Sequence, residues 1–407
     1  MPRASMGKVL ISGASIAGPT LAYWLHKYGF DITLVERAKC VRSGGYPIDL
    51  RGPAVEVAER TGILPGVKVA HIDTQRLSWV DEEGKPFVTI RPEQLSGGKE
   101  GRDLEVPRGA LTSLLFEVTR RGIDYRFKDS IRSLSDTATG VSVIFESGRQ
   151  ETYDLVMGAD GLHSKTRELI FGPESLFERY IGYCFGACTM PNHLHLAHEA
   201  HVYTIPGKNA TLYAPGDSKI LWAILTFKHP RPREVHGIGT VEERKLVAQV
   251  FAGGGWQIPR IVSAMMVADD FFFDTVSQIH MPQWSRGRVA LAGDAAHATS
   301  FLSGQGSSMA LIGAYVLAGE LASNSDHTSA FASYERIFRS YVEANQALVD
   351  GGTAAVLPET AEAICARNEA LRAAAEHGAD YAHGSHASTV INAFRLPDYS
   401  GRVRGAA

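Results

Sequence analysis

Six residues near the start of the chain, Gly13-Ala14-Ser15-Ile16-Ala17-Gly18, have the composition of a loop that lets an anion approach bare backbone. Gly13 suits a tight turn and Gly18 lets a helix pack closely on a strand; these are the outer positions of the dinucleotide-binding fingerprint. Ser15 stands where that fingerprint has its middle glycine. Its side chain must therefore be held aside or lend its hydroxyl as a donor. Behind the loop, a helix start offers unpaired N–H groups and the positive end of its dipole to a pyrophosphate. Glu36-Arg37 close the next apolar run, and a carboxylate placed there accepts hydrogen bonds from an adenosine ribose.

Two further motifs lie far downstream. One is Gly158-Ala159-Asp160-Gly161-Leu162-His163-Ser164, followed by Arg167. The other is Gly293-Asp294-Ala295-Ala296-His297, with Gly304-Gln305-Gly306 opening a helix. Asp160 and Asp294, at strand ends, are placed to accept ribityl hydroxyls. A glycine-lined helix start approaches a flat ring closely and stabilises negative charge on it, as on the pyrimidine edge of a reduced flavin.

The elements that must position these residues are legible in outline. Val9, Leu10 and Ile11 form a short strand into Gly13. A helical pattern runs from about Pro19 through Leu21, Trp24, Leu25 and Tyr28 to Gly29, and Ile32 to Val35 make the next strand, which completes a βαβ unit. Pro107-Arg108 open a helix with Leu111, Leu114, Leu115 and Val118 at helical spacing. The stretch 123–156 reads as hairpin-like, with Val141, Val143 and Phe145 on one face, and 154–159 as a short strand. From about 176 to 280 short strands (181–188, 200–205, 220–227) alternate with turns, interrupted by one helix near 241–252. Residues 288–294 return to the strand-and-glycine pattern of the N-terminal unit, and beyond 351 an Ala- and Glu-rich helix runs to about 377 before an irregular tail.

The pattern predicts an α/β fold: a Rossmann-like FAD-binding domain (1–75, 101–175 and 281–350), an inserted, mostly antiparallel β-sheet substrate domain (76–100 and 176–280), and a C-terminal helical segment (351–407). A chain of 407 residues is long for one core, so the division is expected.

The three motifs, in this order and at about these distances, resemble the single-component FAD-dependent aromatic monooxygenases of the para-hydroxybenzoate hydroxylase fold, over roughly 7–345. The stretch Gly44-Gly45-Tyr46-Pro47-Ile48-Asp49-Leu50, with Val106-Pro107-Arg108, is further similar to the branch that includes tetracycline-inactivating monooxygenases. That resemblance implies FAD as cofactor, NADPH or NADH as co-substrate, and dioxygen delivered through a flavin C4a-hydroperoxide to a small aromatic or polyketide-like molecule. It places Arg108 near the ribityl or phosphate region and Asp49 near the flavin. The flavin itself carries the reaction, so no protein nucleophile is required. The chain departs from the family pattern at Phe301 (usually proline), Ser308 (usually asparagine) and Gly313 (commonly aspartate). These departures keep two other readings open: a non-oxygenating flavin oxidase or dehydrogenase, and a ligand-sequestering flavoprotein.

Candidates for the substrate wall are Phe185, Tyr213, Trp222 and Phe227 on strands of the inserted sheet, although core packing explains each equally well. His193, His195, His198 and His201 crowd one segment without a completing carboxylate or cysteine pattern, so no metal is expected. A net charge of −3 without a Lys/Arg stripe argues against nucleic acid as partner. No signal peptide and no apolar run of about 20 residues are read, which predicts a cytoplasmic protein without a membrane span. Four cysteines make no disulfide framework, and Cys184 and Cys188 read as buried strand thiols. Monomer and homodimer are both compatible with the sequence.

Overall fold

The structure, a computed structural model, describes residues 6–42, 44–96, 102–216, 218–230, 239–377 and 382–400. Its centre is a six-stranded sheet in which Lys8–Ser12 lies between Asp31–Glu36 and Leu155–Gly158, all parallel. Val289–Leu291 and its short partner Ser285–Arg286 complete one edge, and Asp124–Phe127 the other. Strands covered on both faces read as continuous apolar runs, and these do. Val9 and Ile11 pack under helices including Ala17–Lys27 and Gly306–Ser323, whereas Leu10 meets the three-stranded sheet carrying Val141, Val143 and Phe145.

A second, seven-stranded sheet contains the strands Phe272–Ile279, Glu178–Pro191, Ile220–Lys228, Lys208–Tyr213, Glu199–Ile205, Arg76–Val80 and Pro86–Ile90, in that spatial order. All its pairs are antiparallel except Glu199–Ile205 with Arg76–Val80. Register decides what each face does. Phe185 pairs with Thr226, Thr189 with Trp222, and Trp222 with Tyr213, so Phe185, Trp222 and Tyr213 share one face. Cys184 pairs with Phe227, which puts Phe227 on the opposite face against Phe251 and Phe273. Cys184 and Cys188 lie buried in that same core.

Four details differ from the sequence reading. Asp124–Phe127 is an edge of the parallel sheet, and the meander begins only at Ile131, because Tyr125 and Phe127 stack on each other and meet Phe116 edge to face. A second helix, Ile258–Val267, follows Thr240–Val250, since Pro259 suits a first helical turn and Ile258, Ile261 and Met265 supply a buried stripe. The expected irregular tail carries a helix, Ala382–Ile391, fixed where Tyr341 Oη donates to the Ile391 carbonyl (2.7 Å). Tyr399 then packs so tightly on the helix Gly306–Ser323 that a Cβ at Gly319 would meet its ring at 2.2 Å. The tail's 401–407 lie outside the described residues.

His163 ties the two sheets together. Its Nε2 faces Asp274 of the large sheet (3.0 Å) and its Nδ1 faces Glu174 (2.9 Å), which also pairs with the fully buried Arg167. Burial opposes the imidazolium, but hydrogen bonds to Asp274 and Glu174 outweigh it and raise the His163 pKa to about 9. A raised folded-state value stabilises fully below the unfolded value of about 6.5, and the contribution fades as pH climbs through about 9. Thermal unfolding followed from pH 6 to 10 is expected to show falling stability across that window. His163→Gln should start less stable and flatten the profile; an unchanged profile would refute the bridge.

Candidate functional site

The Gly13–Gly18 loop leaves the central strand and enters the helix Ala17–Lys27. Gly13 has φ +105°, and a Cβ there would meet the Ala159 carbonyl oxygen at 2.4 Å. A Cβ at Gly18 would stand 1.9 Å from the Gly13 carbonyl oxygen. Ile16 occupies the N-cap position and no side chain caps this helix, so its first turn presents bare amides. Glu36 ends the adjacent strand with its carboxylate fixed by the amides of Ala14 (2.9 Å) and Ala38 (2.8 Å); Arg37 beside it is exposed. Ser15 answers the question its position raised: its Oγ accepts from Arg108 Nη2 at 2.9 Å. Arg108 begins the helix Arg108–Thr119, and its side chain packs on the bare backbone of Gly45.

From this end a line of expected residues runs along the first helix. Ala17 approaches Gly293, where a Cβ would meet the Ala17 methyl at 2.9 Å. Asp294 follows, next to Gly306. Burial pushes the Asp294 carboxyl up, and among the described residues no donor bonds it. Asp160 is different. Its oxygens accept from Ser164 Oγ, Thr166 N (3.0 Å), Thr166 Oγ1 (2.9 Å) and Ser12 Oγ (3.4 Å). It therefore braces the turn after Leu155–Gly158 against the Gly13 loop. Gln305 is fully buried, yet neither end of its amide has a hydrogen-bond partner among the described residues.

The far end of the line meets the large sheet. A Cβ at Gly304 would lie 3.2 Å from Asp49 Oδ2, and Asp49 pairs with Arg51 (2.8 Å). Phe301 stacks on Phe185 at 4.1 Å and 9°, with the edge of Tyr46 against both and Phe272 alongside. Tyr213, 6.2 Å from Trp222, reaches across to Glu105 of the strand Leu104–Pro107. Of the four expected wall residues, Phe185, Tyr213 and Trp222 share the face turned to this junction. Phe227 does not, because its register gives it to the opposite core.

The departures have physical counterparts. Ser308 Oγ accepts from the Arg51 amide (3.1 Å) and donates to the Asp49 carbonyl (3.3 Å), which pins the strand Pro47–Leu50 to the long helix. A Cβ at Gly313 would meet Phe338 at 2.9 Å and His297 at 3.3 Å, so the position has no room for an aspartate without repacking. Sequence reading missed Tyr46, Arg51 and Glu105 at this junction, and could not separate core from pocket wall for Phe271, Phe272 and Phe273, of which Phe272 lies against Tyr46 and Phe185. Glu105 alone left a trace: a carboxylate between Leu104 and Val106 just before Pro107-Arg108 is a charge on a strand that must be buried. The histidines 193, 195, 198 and 201 lie apart; His193 bonds Gln257 and His198 faces Asp73.

The profile of the FAD binding domain family matches residues 6–346. The chain belongs to that family. It is 39% identical over 341 residues (84% of this chain, 88% of the other) to a flavin-dependent monooxygenase of an unknown prokaryotic organism. It is 35% identical over 344 residues (83% and 87%) to a flavin-dependent monooxygenase of Legionella longbeachae serogroup 1 (strain NSW150). Among solved structures, the tetracycline destructase Tet(55) superposes with a TM-score of 0.82 at 35% identity, covering 96% of this chain and 98% of that one.

The residues present fit FAD. The glycine turn that no Cβ can enter, the half-buried Asp294 carboxylate without a donor among the described residues and the buried, unsatisfied Gln305 amide lie in one sequence along the first helix. Buried polar groups left without partners cost free energy, so their presence together marks a place for a polar ligand. Placing a methyl group into the Gly13 carbonyl costs about 1–3 kcal/mol. Gly18→Ala is accordingly expected to weaken FAD binding by roughly ten- to a hundredfold, read by flavin fluorescence quenching on protein whose circular dichroism is unchanged. Arg108→Ala should weaken it by about tenfold. Undiminished binding in both would refute this placement.

Proposed function

We propose that the protein is an FAD-dependent monooxygenase that uses NADH or NADPH and dioxygen to hydroxylate an aromatic or polyketide-like small molecule. The carrying observation is the aromatic cluster of Tyr46, Phe185, Phe272 and Phe301, packed ring to ring where the large sheet meets the Gly304–Gly306 turn. An apolar aromatic surface at this junction, with polar groups at its edge, suits an aromatic ligand. Bound FAD supplies the redox chemistry, taking a hydride from the nicotinamide and activating dioxygen when reduced.

The chain's own residues have the remaining tasks. The first-turn amides after Gly13, with Ser15, Ile16, Ala17 and Gly18, hold the pyrophosphate, with Arg108 as its cationic partner. Glu36 takes the adenosine ribose, and Asp294 takes a ribityl hydroxyl. The start of the helix Gly306–Ser323 directs its positive end at the ring, where Gln305 satisfies its amide. Phe185 and Phe301 exclude water from the reacting atoms. The two main sheets support a division into an FAD-binding body and an inserted substrate sheet, with the helix Ala361–His377 against the large sheet and Tyr399 against the helix Gly306–Ser323. The likeness to the tetracycline destructase Tet(55) makes tetracyclines the first substrates to test.

Purified, FAD-loaded protein is expected to consume NADH or NADPH faster with tetracycline present and to place one atom of labelled dioxygen in the product. Hydrogen peroxide without label in the product would favour the oxidase reading; tight binding without nicotinamide consumption would favour sequestration. Phe185→Ala is expected to lower product formed per nicotinamide consumed by on the order of tenfold as water enters the space its ring vacates. Phe227→Leu, on the opposite face, should leave that ratio unchanged.

A further inference from the structure

Ser300 stands at φ +84° and ψ 150°, a region of backbone space that residues other than glycine rarely enter. Such a conformation persists only where its surroundings over-determine it, and it collects at ligand clamps and switch regions. Here the buried Gln346 and Gln278 amides donate to the carbonyls of Ala298 (3.1 Å) and Thr299 (3.2 Å), and Ser303 Oγ donates to that of Ser300 (2.8 Å). The main chain around Phe301 is thereby fixed, and the strained turn lays the Phe301 ring on Phe185 at 4.1 Å and 9°. Tyr46 and Phe272 meet Phe185 at steeper angles, 84° and 47°. Among the described residues, Phe301 is therefore the one ring stacked on a Phe185 face. Phe185 is buried, whereas Phe301 keeps accessible surface. Phe272 belongs to a strand and Tyr46 leads into one, while Phe301 lies in a single turn. Its side chain is the member of the cluster free to leave by rotation between staggered positions.

We propose that Phe301 is a specificity-determining residue that holds, on Phe185, the place of an aromatic ring of the substrate and gives it up when such a ring arrives. The inference rests on the monooxygenase reading and adds how the substrate is chosen. A planar aromatic ring replaces the stack that Phe301 loses. A saturated ring of the same size does not, because the gain beyond buried area belongs to paired π systems. The packed cluster is thus the closed form of a seat, and the ligand makes the open form the dominant one. While Phe301 sits there the competent fraction is small, and apparent affinity falls with that fraction. The proline usual at this place in the family has no aromatic ring to stack, so the competition is a property of this chain. Because its main chain is fixed, the displaced ring still borders the seat it has left, beside the Gly304–Gly306 turn.

The test uses FAD-loaded protein with tetracycline, whose phenol ring is the aromatic probe. With 4-fluorophenylalanine at position 301 alone, the fluorine resonance should carry the ring-current shift of Phe185 and lose it in Phe185→Leu. It should move to an unstacked value when tetracycline saturates the protein. Phe301→Ala removes the competing ring, so it should bind tetracycline roughly two- to tenfold more tightly, read by equilibrium dialysis on protein of unchanged circular dichroism. A residue serving only as a wall would give the opposite sign. If Phe301→Ala does not fold, the fluorine measurement carries the test, since it leaves the ring in place. A label that stays stacked in the tetracycline complex, or weaker binding by Phe301→Ala, overturns this inference. The monooxygenase reading then stands on nicotinamide consumption and labelled oxygen in the product. Displacement of the label without oxygen transfer counts against the monooxygenase reading alone. Absence of tetracycline binding by both wild-type and Phe301→Ala protein overturns the inference.

Discussion

The Gly13 backbone passes so close to the turn after Leu155–Gly158, and the first helix so close to the Gly13 carbonyl, that neither glycine position has space for a single added carbon. This contact brings the helix start to the end of the parallel sheet, where its dipole and unpaired amides face one point. Positions downstream inherit that geometry. Asp160 braces the turn from beneath, Gly293 admits the Ala17 methyl, and Asp294 is delivered beside Gly306. A looser contact would displace the whole row, because each member is placed by the one before it.

On the large sheet, the two-residue period separates two duties. One face is an apolar core sealed by the helices Thr240–Val250 and Ile258–Val267, and contains Phe227, Cys184 and Cys188. The other carries Phe185, Trp222 and Tyr213 toward the nucleotide-binding sheet. Two anchors set the sheet's approach: His163 between Asp274 and Glu174, and Tyr213 on Glu105. Both are charged or charge-assisted contacts, stronger than neutral hydrogen bonds and more exacting in geometry.

What could be read from the sequence followed local chemistry. Gly13, Gly18, Glu36, Asp294 and the Gly304–Gly306 turn stand out because tight turns, close backbone approaches and strand-end carboxylates need particular residue types at particular spacings. The two-sheet α/β architecture was readable for the same reason, since period and turn residues are local signals. Facing direction was not. Phe185 and Phe227 look alike in strand context, and only the pairing register separates cavity wall from core. Asp160 was legible as a motif member but not as a brace, because its partners Ser12, Ser164 and Thr166 converge only after folding. Glu105 and Tyr213 are more than a hundred residues apart, and no local pattern links them.

The strand order of the central sheet also bears on how the protein comes into being. Lys8–Ser12 pairs with Leu155–Gly158, and that strand in turn with Val289–Leu291. A chain emerging from its N-terminus thus makes its first strand and glycine turn long before the strands that brace them exist. Such distant pairings are slow, since loop closure must precede any compensating contact. Until the third segment arrives, the apolar faces of the early strands stand open to misassociation. A nucleotide held at the glycine turn therefore has value beyond chemistry, as a partner that binds only the assembled sheet and draws late assembly toward completion.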